Sequence, residues 1–516
     1  MSTGEFLASP RSSRRWLWPS LEVVVAFLAA GLLTFSCTNI KVDPLVRIGQ
    51  VSGLASIQLR FILFVLPLLA ALLVAAKLRG GIYFARTSRL VCAALAGLAS
   101  GFLAGGLIVA LRGTPFCLNA TGGDAGVLVS WANAIKAGVG DQYVPPLYPP
   151  AFPHALRWYM DIVDLPAVYA LKHLQILGAL VAGPAGYLAW RLVLRPSWAL
   201  VIGVVPAMVI VEPYKPYTNV VLIVLVPVLI RFFNTLRTAD RRSVHQLLKA
   251  GVVFGLVLGA MCLTYSGWFR WSAPGLVVAG LIVFPWRRAP RRGIAFGVAA
   301  MLALGAVTFN YVTGVRSYAQ QRAAADSKPL VLDDYIYFDV LTEPAYIAMW
   351  KVDLPGKTTE WPPDGELGGV GLYSVLLCAG LGIAIMLGHR RTPVITVACL
   401  FAGAWLMRFW YAHLLFKTKL VQLYPRTTIE LVYCLLVLLG FAAYYLIERI
   451  ASRADEKHPV RQRSALIGAW CALAFLFGQM GSSISERYMP EDGFPFSTGY
   501  LAWQAHQALK APAPSP

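Results

Sequence analysis

Charge is scarce in this 516-residue chain: only 14% of residues are ionic, and 25 Asp and Glu stand against 45 Lys and Arg. With 58% apolar side chains, the polar residues are too few to coat a soluble globule. The net charge of +20 suggests nucleic acid at first sight, but the Lys and Arg fall in short runs between apolar segments. That pattern marks membrane topology and excludes a nucleic-acid groove as the main reading. No CxxC spacing occurs among the eight cysteines, which argues against thiolate metal sites and dithiol redox motifs. Cys92, Cys262, Cys378, Cys399, Cys434 and Cys471 lie in or at the ends of apolar segments and read as small packing residues. Only Cys37 and Cys117 fall where an oxidising compartment could join them. No internal repeat is visible, which counts against a transporter built from inverted repeats. Arg11, Arg14 and Arg15 precede the first apolar run as in a signal peptide, but no small-residue cleavage site leads into a soluble domain, so a retained span is expected.

What is abundant is apolar runs of spanning length, or nearly so with tilt. They lie near 20–37, 58–77, 89–111, 168–192, 198–211, 218–233, 247–264, 273–287, 293–310, 370–388, 393–411, 427–447 and 464–482. The expected fold is an all-α polytopic membrane protein with about thirteen transmembrane helices, the short run at 198–211 being a candidate broken or re-entrant helix. Alternate loops hold the basic clusters, among them Arg86 and Arg89, Arg191 and Arg195, Arg241 and Arg242, Arg291 and Arg292, and Arg390 and Arg391. Those loops are assigned to the cytoplasm, together with residues 1–19. The membrane domain then covers 20–483. Residues 484–516 form a short polar, Pro-rich tail outside the cell, too small for a domain of its own. The loops 112–167, 311–369 and 412–426 face outward, and the expected location is the plasma membrane.

The loop 112–167 is the most informative. Its glycine-rich turn Thr121-Gly-Gly-Asp124 enters an amphipathic stretch with Val127, Leu128, Trp131 and Ile135 at helical spacing. Asp124 is placed at the bilayer surface, where it could serve as general base or simply as a helix N-cap. The run Val144-Pro-Pro-Leu-Tyr148-Pro-Pro-Ala-Phe-Pro-His154 predicts a rigid extended wall. In Val211-Glu212-Pro-Tyr-Lys215-Pro-Tyr, Glu212 is suited to hold a sugar hydroxyl or to pair with Lys215. Asp43 is an alternative base, or a solvated loop residue beside Lys41 and Arg47.

Outside the basic-inside pattern stand Arg408, Lys417, Lys419 and Arg426, and Arg270 is flanked by Trp268, Phe269 and Trp271. Cations set against the usual bias point to an anion, either a donor phosphodiester or lipid headgroups. Arg270 serves equally as an interfacial aromatic anchor. The loop 311–369 interleaves acids with aromatics, including Tyr346 and Trp350, as suits sugar stacking or a plain folded cap. Asp333, Asp334 and Asp339 lack EF-hand spacing, so neither a metal nor another cofactor is predicted, though a divalent cation stays chemically compatible.

The segments Gly123-Asp-Ala-Gly, Tyr148-Pro-Pro-Ala-Phe, Thr342-Glu-Pro-Ala-Tyr-Ile-Ala-Met-Trp, Gly365-Glu-Leu-Gly-Gly-Val-Gly and Leu420-Val-Gln-Leu-Tyr-Pro-Arg-Thr-Thr resemble the galactan 5-O-arabinofuranosyltransferases of mycolic-acid bacteria. The resemblance covers roughly residues 85–445 and implies a GT-C-type glycosyltransferase. It implies decaprenyl-phosphate-arabinose as lipid donor, cell-wall galactan as acceptor and transfer with inversion. Asp124 corresponds to that family's early-loop acid. In this scheme Lys419 and Arg426, with Lys417 and Arg270, hold the leaving phosphate. Tyr148, His154, Glu212, Tyr346 and Trp350 contact sugar or acceptor. Membrane lipids complete the partners, and nucleic acid has no place among them. One departure is that family members carry an outer C-terminal domain, whereas residues 484–516 alone follow the last span here, which puts acceptor choice in question. A GT-C enzyme for another polyprenyl-phosphate sugar, or a flippase for a lipid-linked sugar, is the rival reading.

Overall fold

The computed structural model describes residues 17–77, 81–120, 122–324, 372–418, 424–451, 459–493 and 497–510. Among these residues every regular element is a helix. That follows from the sequence: in lipid the backbone must satisfy its own hydrogen bonds, and an apolar run does so by coiling. In chain order the elements are α1 (Leu17–Cys37), α2 (Arg47–Lys77), α3 (Gly81–Ala110), α4 (Gly123–Lys136), α5 (Gly140–Tyr143) and α6 (Ala151–Val163). Next come α7 (Ala167–Trp190), α8 (Pro196–Ile210), α9 (Thr218–Arg237), α10 (Val244–Thr264), α11 (Gly267–Val283) and α12 (Pro290–Ala324). The last are α13 (Leu372–Gly388), α14 (Thr392–His413), α15 (Leu415–Thr418), α16 (Thr427–Ala451), α17 (Pro459–Glu486) and α18 (Thr498–Lys510).

The chain is thus an all-α polytopic membrane protein. Each apolar run of the sequence coincides with a helix. Eight helices, however, are long and apolar enough to cross a membrane on their own, or nine if the bent pair α6 and α7 forms one span. The helices Pro196–Ile210, Gly267–Val283 and Val375–Gly388 are shorter than that limit. Hydropathy does not separate the two cases, because a run that packs inside a bundle is as apolar as one that spans. Between α6 and α7 the chain bends by 107° at Asp164, whose backbone is left-handed (φ 50°).

The helix α3 is the centre: 94% of its apolar window is buried, against 33% for α1 and 22% for α2. Its glycines let neighbours come close; a Cβ on Gly97 would sit 2.1 Å from the Ala26 carbonyl oxygen of α1. The same device joins α11 to α14, where a Cβ on Gly275 would sit 1.9 Å from Cys399 O. Small residues serve this purpose in membranes, where packing replaces the hydrophobic effect as the force between helices.

The basic loops gather at one end of the bundle. There Arg237 Nη1 donates to Arg390 O at 2.7 Å, and Arg292 Nη1 to Asp240 O at 2.9 Å. At the same end Glu22 of α1, almost fully buried, accepts from Arg89 Nε (2.6 Å) and Nη2 (2.9 Å), Arg191 Nε (3.1 Å) and Tyr187 OH (3.0 Å). A carboxylate inside an apolar helix is tolerable only with such partners.

At the opposite end, residues read as a loose tail form α18 and dock against the end of α3. His506 Nε2 lies 2.9 Å from Ala110 O, and Thr114 Oγ1 donates to Ala505 O at 2.8 Å. Cys37 and Cys117 are both buried and free, so no disulfide joins them. The run 144–150 is no extended wall: Tyr148 N–H closes a turn on Pro145 O at 2.9 Å, and Pro150 is the N-cap of α6.

Candidate functional site

Residues 111–122 carry the chain from α3 into α4 through two left-handed positions, Asn119 (φ 69°) and Ala120 (φ 46°). Asn tolerates that conformation better than most residues. The turn is anchored by Asn119 N–H on Leu501 O (2.9 Å) and Gly122 N–H on Asn119 O (2.8 Å). Gly123 is also left-handed (φ 46°), and a Cβ there would lie 2.5 Å from Asn119 Nδ2, so the helix starts on a residue without one. The N-cap is Gly122, not Asp124. Asp124 sits instead in the first turn, where unsatisfied N–H groups and the helix dipole favour a carboxylate.

Opposite it, residues 211–217 form a tight connection between α8 and α9. Lys215 N–H donates to Glu212 O at 3.3 Å, and Asn219 Nδ2 bonds Ile210 O across the base of the connection. Gln175 of α7, fully buried, ties the two segments together: Oε1 accepts from Leu118 N–H at 2.8 Å and Nε2 donates to Tyr214 O at 3.3 Å. Fixed this way, the Lys215 ammonium reaches Asp124 Oδ2. Lys215 and Glu212 meet through backbone, while the Lys215 ammonium pairs with Asp124 of α4 and acts on the Glu212 carboxyl through space.

Arg426 ends a one-turn 3-10 helix, Tyr424–Arg426, ahead of α16. Its Nη2 lies 3.8 Å from Asp124 Oδ2 and its Nη1 donates to Tyr265 OH at 3.2 Å. The exposures differ in a useful way: the Lys215 side chain is 4% exposed, Arg426 23% and Asp124 43%. The carboxylate is therefore backed by one buried cation, flanked by a second, and open on its remaining side.

An aromatic row runs alongside. Trp131 and Tyr148 meet edge to face at 4.4 Å, Tyr148 OH bonds Tyr217 OH, and Phe152 stacks on Tyr217 at 4.1 Å. Tyr217 leads to Tyr265 (6.3 Å), and Tyr265 to Trp268 (5.2 Å). Burial first, then the Arg426 cation, pushes the Lys215 ammonium down to about 8, while Asp124 opposes the fall. Burial lifts the Glu212 carboxyl above its ordinary range, partly offset by Lys215 and Arg426. Burial also raises the Tyr148 phenol to about 12, and that of Tyr217 well above the usual value.

Of the expected site residues, the structure brings Asp124, Arg426 and Tyr148 into one cluster. Glu212 lies beside it, half-buried, lining a small cavity with Gly178, Ala179 and Pro216. Arg270 is exposed on α11, its Nε donating to Tyr411 OH at 2.8 Å and its guanidinium over that ring. Lys417 is exposed on α15, and His154 is exposed on α6. Asp43 is taken up by its own turn, with Oδ1 accepting from Leu45 N–H at 2.9 Å, as the solvated-loop reading expects. Lys419, Tyr346 and Trp350, like Asp333, Asp334 and Asp339, lie outside the described residues. Among the described residues no group of three His, Cys, Asp or Glu side chains is placed to hold a metal.

Sequence reasoning missed Lys215 as the partner of Asp124, together with Tyr217 and Tyr265. It also missed Glu430, fully buried on α16, which accepts from Ser272 Oγ through Oε1 while Oε2 has no hydrogen-bond partner among the described residues. A lone acid three residues into an apolar run was the available signal.

What the arrangement offers is a half-exposed carboxylate, two cations able to receive an anion, and flat aromatic faces beside them. Scans of protein-family models and of curated proteins find no match to this chain.

Proposed function

We propose that the protein is a GT-C-type glycosyltransferase of the plasma membrane. In this reading it moves an arabinofuranosyl unit from decaprenyl-phosphate-arabinose to cell-wall galactan on the outer face. The basic loops gathered at one bundle end are the cytoplasmic side, with the N-terminus, and the site end faces outward with α18. The thirteen-span layout of that class requires α7, α8, α11, α13 and α17 to cross beside the eight longer helices.

The observation that carries the reading is the half-exposed Asp124 carboxylate set between Lys215 and Arg426. Asp124 takes the proton of an acceptor hydroxyl. The resulting oxygen attacks the anomeric carbon from the face opposite the phosphate, so configuration inverts. The bond from that carbon to the phosphate oxygen breaks and its electron pair leaves on the prenyl phosphate. Negative charge on the phosphate grows in that step, and Arg426 and Lys215 are placed to stabilise it. The Trp131, Tyr148 and Tyr217 rings supply faces for sugar packing. Arg408 and Glu430, buried near the site ends of α14 and α16, lie within about two turns of those ends, too shallow for a charged path through mid-bilayer as a flippase requires.

The test is transfer of radiolabelled arabinose from decaprenyl-phosphate-arabinose to a short galactan in membranes carrying wild type or Asp124→Asn. Label with wild type and none with the variant supports the reaction and its base together. Unchanged transfer by a folded Asp124→Asn protein removes Asp124 from the mechanism. No label with wild type, but label from a prenyl-phosphate mannose or glucose, reassigns the sugar.

A further inference from the structure

Both cations of the site converge on a single oxygen, Asp124 Oδ2. The base proposed above is therefore engaged when no substrate is present. Which partner yields can be read from the burial. Lys215 is 4% exposed and held in a connection stapled by Asn219 and Gln175, so its ammonium has no solvent to move into. Asp124 is 43% exposed at a helix end, with room to turn away. Once Asp124 turns away, Lys215 and Arg426 set two positive charges against the neighbouring Glu212 carboxyl, which draws in an anion.

We propose that Lys215 and Arg426 form a phosphate-binding site that the chain's own Asp124 occupies in the resting protein, and that an arriving prenyl phosphate displaces the carboxylate and frees it as base. This rests on the reading of the two cations as the donor-phosphate site and adds an order to it. The lipid donor binds first, and the acceptor hydroxyl meets a competent base only afterwards. Such an arrangement guards the carboxylate from acting before a leaving group is in place. Asp124 thus holds two opposed roles: it is required for transfer and it competes with the donor.

The test is binding of farnesyl phosphate to the purified full-length protein in detergent, by calorimetry, with farnesol and inorganic phosphate as parallel probes. Asp124→Asn removes the competing charge and binds farnesyl phosphate about five- to tenfold tighter than wild type, while Lys215→Met binds it at least tenfold more weakly. Farnesol distinguishes none of the proteins, because it carries no charge. Inorganic phosphate following the same order places recognition in the phosphate alone; no response to it places part of the affinity in the prenyl chain, and both agree with displacement. Equal or weaker farnesyl phosphate binding by Asp124→Asn, with the Lys215→Met loss intact, keeps the donor site and overturns the displacement. No farnesyl phosphate binding by any of the three overturns both. Steady-state kinetics on wild type give an independent reading. A prenyl phosphate product competitive against donor and mixed against acceptor fits the order, and one competitive against both overturns it.

Discussion

In the proposed reaction Lys215 is expected to set an upper pH limit on donor capture. The group must be protonated to attract a phosphate, and burial beside Arg426 brings its pKa down to about 8. The protonated form, and the binding it supports, is therefore complete well below that pH, halved at it and lost as pH rises further. Each further pH unit removes about nine-tenths of the remaining ammonium, so kcat/KM for the donor falls about tenfold between pH 8.5 and 9.5. Once donor is bound, its phosphate stabilises the ammonium, and kcat at saturating donor holds to higher pH. The assay is arabinosyl transfer at limiting and at saturating donor from pH 6 to pH 10. Lys215→Arg keeps its charge over this whole range and removes the alkaline limb. A wild-type profile flat to pH 10, or a limb unchanged in Lys215→Arg, refutes the assignment.

Tyr265→Phe removes the hydroxyl that accepts from Arg426 and raises donor KM about fivefold, a loss near 1 kcal/mol, with little change in fold. Glu22→Ala leaves Arg89 and Arg191 facing each other without their shared carboxylate, at a cost of about 3–5 kcal/mol in unfolding free energy, read by denaturation in detergent. Gly275→Val forces α11 from α14 at the Cys399 carbonyl; about 1–3 kcal/mol of destabilisation is expected, read as a lowered Tm, with Gly275→Ala milder.

Much of this architecture is legible in the sequence because lipid simplifies the code. The positions of the helices follow from apolar runs, and the grouping of basic loops at one end follows from their alternation. The number of crossings is less legible, since α8 and α11 are shorter than the other apolar helices and hydropathy records apolarity without its cause. Asp124 and Arg426 stand out as charges in unusual places, but their meeting depends on Gln175 joining Leu118 to Tyr214, a three-way contact with no periodic trace. The Lys215 partner was misjudged between options because a local carboxylate, Glu212, offered the nearer choice along the chain. The fold pairs the ammonium with Asp124 of α4, while Glu212 still acts on it through space.

The docking of α18 has a consequence for how the protein is made. Asn119, at the turn that opens α4, hydrogen-bonds Leu501, and the end of α3 is closed by Ala505 and His506. Asp124 is thus synthesised well before residues 501–506, which support the turn beside it. During insertion the early helices can assemble while this end stays open, and the turn that leads into Asp124 gains its last support only when α18 arrives. A chain cut short before residue 501 is therefore expected to enter the membrane with the turn before Asp124 unsupported.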